Sequence, residues 1–204
     1  MDIDTIVKNL KDMLINRGDN IDEFEEHEMD IERDEFYNDG KILEFHTSLS
    51  TIIFAMTKKS RKNILDELKI EQDDIKKFLM KYNNKKNVIL IFNNDIISAP
   101  IQQQLNKYDK IFQKNGGILQ HFYAKQLLFN PTLHEYVPKH TKIESQEEID
   151  EILNKYMITS KLKLPFILHS DIISKWLGLT QGDIVKIERY NSNSGLYYYY
   201  RCCI

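Results

Sequence analysis

Cysteine is almost absent from this chain of 204 residues: Cys202 and Cys203 are the only two, and they are adjacent. A disulfide between chain neighbours closes a strained ring, which argues against a stapled, secreted scaffold. In a terminal strand the two side chains are expected to face opposite ways, with a redox or metal pair as the functional alternative. Long apolar runs are missing too. The longest, Ile52–Met56 and Val88–Phe92, fall far short of a bilayer span. The opening MDIDTIVKNL is charged and amphipathic without the apolar core of a signal peptide. The chain therefore reads as soluble and intracellular, with no membrane partner. Nor does one sign of charge prevail. With 28 Lys and Arg against 31 Asp and Glu, the formal charge is −3. Bulk electrostatics thus do not mark a nucleic-acid binder, and any DNA contact must be local or shared with partners.

The chemistry of catalysis is also hard to find. Metal-dependent cleavage needs carboxylates converging at a strand end, usually beside a lysine. The strand expected at Val88–Phe92 ends in Asn93-Asn94-Asp95, and no Asp/Glu-x-Lys triplet follows a strand. Asp95 reads as the residue that sets the turn. His134 and His140 are separated by Pro138, with only Glu135 and Glu144 near enough in sequence to complete a site, so structural hydrogen bonding is the simpler reading than metal binding. Gly116-Gly117 follows a helix rather than a strand, the wrong order for a phosphate loop. No catalytic residue, metal, cofactor or small-molecule substrate is assigned. Lys69, Lys76, Lys77, Lys81, Lys85 and Lys86 form a basic region, but Glu67, Glu71, Asp73 and Asp74 interrupt it. It reads as a solvated helix face, with phosphate contact the sharper alternative.

What is present is an alternation of periodicities. Ile3, Ile6, Val7, Leu10 and Leu14 predict an amphipathic helix ending near Gly18. The acidic stretch Asp19–Asp39 holds Phe24, Met29, Ile31, Phe36 and Tyr37, and reads as a solvated connector with one or two short elements; an acidic surface for a basic partner is the alternative. Lys41–Met56 is strand material. A helix fits Arg61–Tyr82, with a break near Ile70-Glu71. Asn87–Phe92 is continuous and β-branched, as buried parallel strands are. Ser98 is the expected N-cap of a helix to Lys114, with Pro100 in its first turn and Gly116-Gly117 stopping it. Ile118–Phe129 is expected as another strand region. Strands alternating with helices imply a small α/β layer structure over residues 1–130. Asn130-Pro131 marks the boundary of a second domain, residues 131–204. Its first helix is expected over Gln146–Tyr156, with Ser145 and Glu148 as a capping box.

From Leu164-Pro165 onward, Gly-punctuated turns separate runs that switch from helical to strand-like spacing. Ile172, Ile173, Trp176 and Leu177 recur at helical spacing behind Asp171, an N-cap. Gly178 and Gly182 bracket a turn, Asp183–Glu188 alternates as a strand, Asn191–Gly195 is a loop, and Leu196–Ile204 closes the module as a strand. Leu164, Ile167, Trp176, Ile184, Val185 and Ile187 are expected core. Lys186, Arg189, Tyr197, Tyr200 and Arg201 place long cationic and aromatic groups on adjacent strands, a composition suited to a protein interface.

These residues resemble one family. The frame is Leu164-Pro165-x-Ile167, Asp171, Gly178-Leu179, Gly182-Asp183-Ile184-Val185-Lys186-Ile187-x-Arg189, Ser192-x-Ser194-Gly195-x-Tyr197 and Tyr200-Arg201, preceded by His134-x-x-Val137-Pro138-x-His140. It is similar to the fifth of the subunits shared by the eukaryotic nuclear RNA polymerases, whose archaeal counterpart consists of this module alone. The resemblance implies a small α+β assembly domain at 131–204 that docks on the largest subunit. It also implies an N-terminal α/β domain, nuclease-like in its layers but without an active site, that forms part of a jaw near downstream duplex DNA. By the same resemblance, Ser98-Ala99 is DNA-proximal. Related subunits carry Thr-Pro-Ser-Ala there, and Ile96-Ile97 stands in the place of Thr-Pro. A helix N-terminus still offers backbone N–H groups to a phosphate. Asp171-Ile172-Ile173-Ser174-Lys175 replaces the family's Asp-Pro-x-x-Arg, and lysine does not reproduce bidentate arginine pairing.

The implied protein is a non-catalytic subunit of a multisubunit DNA-directed RNA polymerase, binding the largest and other subunits, with DNA contacted weakly or indirectly. It would work in the nucleus if cellular, or in a virion or cytoplasmic factory if viral. The abundance of Ile, Lys and Asn suggests an A/T-rich coding sequence, as in a large DNA virus or a protist. The alternatives are a stand-alone metal-dependent nuclease and a free adaptor protein.

Overall fold

The computed structural model describes residues 2–67, 87–193 and 195–204. The chain is mixed α/β and separates into two compact units, Met1–Phe129 and Asn130–Ile204. The first opens with helix α1 (Ile3–Asn16), whose N-cap Asp2 accepts a bond from Thr5 N at 3.3 Å. Its apolar stripe of Ile3, Ile6, Val7, Leu10, Met13 and Leu14 is buried, as the spacing requires. Helix α2 (Asp22–Met29) and a 3-10 turn (Arg33–Tyr37) lead to the hairpin β1 (Leu43–His46) and β2 (Ser50–Ala55). Helix α3 (Lys58–Glu67) follows, then β3 (Asn87–Phe92), helix α4 (Ala99–Lys114) and β4 (Ile118–Tyr123).

The sheet runs β1-β2-β3-β4, with β1 antiparallel to β2 and the other pairs parallel. Its faces are read off by parity. Ile53, Ala55, Val88, Leu90, Phe92 and Leu119 pack with Ile64 of α3 and with Leu105, Tyr108 and Phe112 of α4. The residues between them form the opposite face, where Phe54 meets Phe36 of the 3-10 turn, Arg17 Nη2 at the end of α1 donates to Gln120 Oε1 at 2.7 Å, and Asn9 of α1 donates to Leu127 O at 2.8 Å. Both faces of β3 are therefore covered, which is why its sequence is continuously apolar.

Three expectations are refined here. Asp19–Asp39 is mostly exposed and holds the two short elements expected of it, α2 and the 3-10 turn, but it is anchored at four buried positions. Phe24 and Phe36 are buried, with ring centroids 4.8 Å from Phe45 and 5.0 Å from Phe54 respectively. Asp19 is buried as well, accepting from Thr47 Oγ1, Ser48 Oγ, Leu49 N and Ser50 Oγ at 2.6–2.9 Å. Glu28 is buried beside Lys11 and Arg33; burial alone would raise its carboxyl, but the bonds from those two cations outweigh it and hold it below the usual range. The strand expected to Phe129 ends at Tyr123 and gives way to a 3-10 turn (Ala124–Leu127), because Gln126 Oε1 folds back to accept Tyr123 N at 2.9 Å. Helix α3 begins at Lys58, earlier than Arg61, because Thr57 and Ser60 bond reciprocally through side chain and backbone N–H at 3.0 and 3.1 Å. The expected continuation to Tyr82 and the lysines Lys69–Lys86 lie outside the described residues. Helix α4 ends as expected: Gly116 adopts φ 78° and Gly117 N donates to Phe112 O at 3.0 Å.

The second unit contains β5 (Lys139–Ile143), α5 (Gln146–Lys155), β6 (Phe166–Ile167), α6 (Ile172–Trp176), β7 (Ile184–Asn191) and β8 (Gly195–Cys203). Its sheet order is β5-β7-β8-β6, antiparallel except for the β6–β8 pair. Ser145 caps α5 by accepting Glu148 N at 3.3 Å, and Asp171 caps α6 by accepting Ile173 N at 2.8 Å. Two small cores form, one on each face. Ile143, Ile149, Ile152, Leu164, Ile184, Tyr200 and Cys202 make one; Ile167, Leu179, Val185, Ile187 and Cys203 make the other. Cys202 and Cys203 thus face opposite ways, as chain neighbours in a strand must.

Candidate functional site

In the first unit, β2, β3 and β4 end together, with Ala55, Phe92 and Tyr123 in register. The carboxyl ends of parallel strands are where open α/β sheets bind ligands. Lys58, Lys59, Arg61 and Lys62 follow β2, Asn93-Asn94-Asp95 follows β3, and Lys125 follows β4. The loop after β3 is braced from both sides. Arg61 Nη1 donates to Asp95 O at 2.8 Å, Lys125 N donates to Asn94 Oδ1 at 2.9 Å, and Ile97 N donates to the Tyr123 hydroxyl at 3.2 Å. The Asp95 carboxylate lies 3.7 Å from Arg61 Nη2, an ion pair rather than half of a metal site. Among the described residues, no group of three or more His, Cys, Asp or Glu side chains is placed to hold a metal ion.

Ser98 and Ala99 are exposed at the start of α4. Ser98 is the N-cap by backbone position, yet its side chain makes no capping bond. The first backbone bond there runs from Gln102 N to Ser98 O at 3.0 Å. Pro100 has no N–H, so Ala99 and Ile101 supply the amides of the first turn that the helix itself does not use.

In the second unit, β7 and β8 form a long antiparallel hairpin in which Lys186 pairs with Tyr200, Arg189 with Tyr197 and Val185 with Arg201. Paired residues share a face, so the five candidate interface residues divide. Arg189, Tyr197 and Arg201 lie on one face, and Lys186 and Tyr200 on the other. On the first face the guanidinium carbons of Arg189 and Arg201 stand 5.2 and 5.7 Å from the centroid of the Tyr199 ring. On the second, Lys186 Nζ lies 4.5 Å from the Tyr198 ring. Tyr200 is only 9% exposed and meets Tyr156 edge-on at 5.9 Å, so it is a core residue. Burial raises its hydroxyl above the ordinary value.

His140 of β5 pairs with Ile187 and so joins the Arg189–Arg201 face. Its Nδ1 lies 2.6 Å from Pro138 O. Burial lowers its pKa, and the two arginines add to this; the Pro138 bond and Asp171 oppose them without prevailing. Cys203 is still less disposed to ionise, since burial pushes its thiol up to about 12. Both cysteines are free and buried, the opposite of a reactive pair.

Tyr198 and Tyr199 are functional candidates that the sequence reading does not single out, and His140, read there as a structural hydrogen-bonding histidine, joins them on the arginine face. The run Tyr197–Tyr200 carries the necessary period of two, but the cross-strand partners depend on a hairpin register that composition does not reveal.

Comparison with known proteins gives this hairpin a context. Residues 129–203 match the family described as RNA polymerase Rpb5, C-terminal domain. The subunit rpabc1 of DNA-directed RNA polymerases I, II and III from Dictyostelium discoideum is 30% identical over 141 residues, 68% of this chain and 68% of that protein. The chain belongs to the RNA polymerase Rpb5 family. The archaeal subunit Rpo5 of Pyrococcus horikoshii is 45% identical over 76 residues, 37% of this chain but 90% of that protein, and the Pyrococcus abyssi subunit matches equally. Membership makes this chain a non-catalytic subunit of a DNA-directed RNA polymerase, acting in transcription with other polymerase subunits.

Proposed function

We propose that residues 130–204 dock the protein on the largest polymerase subunit, while the N-terminal unit, nuclease-like in its layers but without a cleavage site, forms part of a jaw beside downstream duplex. The β7–β8 hairpin carries this reading. It places Arg189 and Arg201 around Tyr199, and leaves Tyr197 and Leu196 exposed, on a small unit with its own two cores. Arginine and tyrosine are the residues that dominate protein interfaces. For the jaw, support comes from Lys58, Lys62 and Lys125, all exposed at the strand ends beside the Ser98-Ala99 helix start. These groups can meet phosphates without reading sequence, which suits a subunit that meets every template. No catalytic group of its own is needed for either role. The place of work follows the polymerase: the nucleus in a cell, or a virion or cytoplasmic factory in a virus.

Affinity purification from the native source tests the proposal. A largest-subunit homologue should co-purify at stoichiometric yield, and residues 130–204 alone should bind it. Binding only by residues 1–129 would overturn the division of labour.

A further inference from the structure

Strand β8 has one full edge and one almost bare one. On one side β7 pairs with it from Gly195 to Cys202. On the other, β6 pairs only with Cys202 and Cys203. Cys202 N donates outward to Pro165 O at 2.9 Å, and Ile204 N to Ile167 O at 3.0 Å. Because N–H groups on alternate strand residues point the same way, those of Tyr200, Tyr198 and Leu196 also point outward, with their carbonyls. Among the described residues no strand pairs with them. Upstream of Phe166 the chain turns away into a 3-10 turn (Lys161–Lys163), so β6 leaves this edge unfilled.

A groove of about 320 Å³ opens at the Tyr199–Tyr200 end of the vacant edge, lined also by Tyr156, Ile158, Leu164 and Pro165, with Lys163 as its one charged lining residue. Arg201, whose Nη1 donates to Phe166 O at 3.3 Å, stands at the end where β6 begins; Lys186 of β7 reaches over Tyr198 but is already 3.7 Å from Glu148. An exposed strand edge with apolar residues beside it is a template for another chain unless it is covered.

We propose that the free edge of β8, Leu196–Tyr200, accepts an extended acidic segment of the partner polymerase subunit as an added strand. This deepens the docking reading and rests on it. Backbone pairing at the outward groups of Leu196, Tyr198 and Tyr200 supplies the register. Side chains of the incoming strand beside Tyr200 enter the groove, and its carboxylates meet Lys163 and Arg201. Lys163 in the groove and Arg201 at its β6 end favour an acidic strand and disfavour a second copy of this hairpin, which would bring those like charges together.

The test uses the full chain with its co-expressed largest subunit. Amide hydrogen exchange should slow at least tenfold at Leu196, Tyr198 and Tyr200 in the complex relative to the free protein. Tyr198→Pro removes one outward N–H while leaving the β7 pairing, and proline is tolerated on a strand edge. It should weaken association at least tenfold, whereas Tyr198→Ala, which keeps the N–H, should weaken it far less. Matching melting curves for the two variants would show that folding is preserved; if Tyr198→Pro unfolds, the exchange measurement on the wild type decides alone. A complex in which those amides exchange as in the free protein would overturn the added strand and leave the docking reading intact. Absence of any complex would overturn both. Edge-to-edge dimers of this chain, persisting when the large subunit is present, would also overturn the proposal.

Discussion

Asp19 Oδ2 accepts a hydrogen bond from Thr47 Oγ1 at 2.6 Å, and the two residues hold the C-terminal end of α1 against the β1–β2 turn. The same carboxylate takes up Ser48 Oγ, Leu49 N and Ser50 Oγ. Removing it leaves several buried donors without an acceptor, each costing on the order of 1 kcal/mol or more. Asp19→Ala should therefore destabilise the N-terminal unit by about 3 kcal/mol, and Asp19→Asn by less, since the amide keeps one acceptor oxygen. Urea denaturation followed by circular dichroism measures both. A loss within about 0.5 kcal/mol, typical of a surface site, would show that this clasp does not hold the turn.

Tyr197 and Tyr200 have the same side chain on opposite faces of one strand, and truncation separates them. Tyr200 packs into a core and against Tyr156, so Tyr200→Ala should cost about 3 kcal/mol of stability. Tyr197 is exposed, and Tyr197→Ala should leave stability within about 0.5 kcal/mol while weakening polymerase binding. Thermal melts and a pull-down of the largest subunit, run on both variants, distinguish core from contact.

His140 makes the second unit sensitive to acid. Its pKa is lowered in the folded state from 6.5, so the unfolded chain binds the proton more readily. The stability it contributes is complete above about pH 6.5 and is lost as pH falls through the folded value. Melting residues 130–204 between pH 7.5 and 5 should show a decline that His140→Gln reduces. An equal decline in the variant would assign the effect elsewhere.

Cys202 and Cys203 are buried thiols held in their protonated form, and Cys203 has its pKa pushed up to about 12. Iodoacetamide at pH 8 should leave the folded protein unlabelled and modify both positions once it is denatured. Rapid labelling of the native protein would mean that β8 detaches from one of its two cores.

The proposed jaw contact predicts a salt-dependent signature at the basic strand ends. In assembled polymerase, replacing Lys58, Lys62 and Lys125 together by Ala should weaken binding to downstream duplex and flatten its dependence on salt, by about one unit of log-log slope for each phosphate no longer neutralised. Ser98→Ala should change little, because the Ser98 side chain caps nothing and the helix amides remain. A larger effect from Ser98 than from the lysines would reverse this assignment.

Much of the architecture is legible in the sequence wherever one physical signal dominates. The continuous Val88–Phe92 run announces a strand covered on both faces, and the Asp171 and Ser145 caps place their helices. The acidity of Asp19–Asp39 correctly suggests a largely solvated stretch, but it hides the two phenylalanines and two carboxylates that anchor it. Tyr123 ends its strand through a glutamine three positions later, an interaction that no periodicity signals. At the candidate interface the residue types are readable, but their division between two faces is not. That division depends on register, which only the folded hairpin fixes.

Strand β8 is shared by both cores of the second unit, giving Tyr200 and Cys202 to one and Cys203 to the other. This sets an order of events during synthesis. On the ribosome the N-terminal layers can close while the rest of the chain is still being made, since domains fold as units from the N-terminus. The second unit has no such head start: until Gly195–Cys203 has emerged, neither of its hydrophobic centres has its last wall. On the proposed docking, the surface for partners is complete only once this strand has formed.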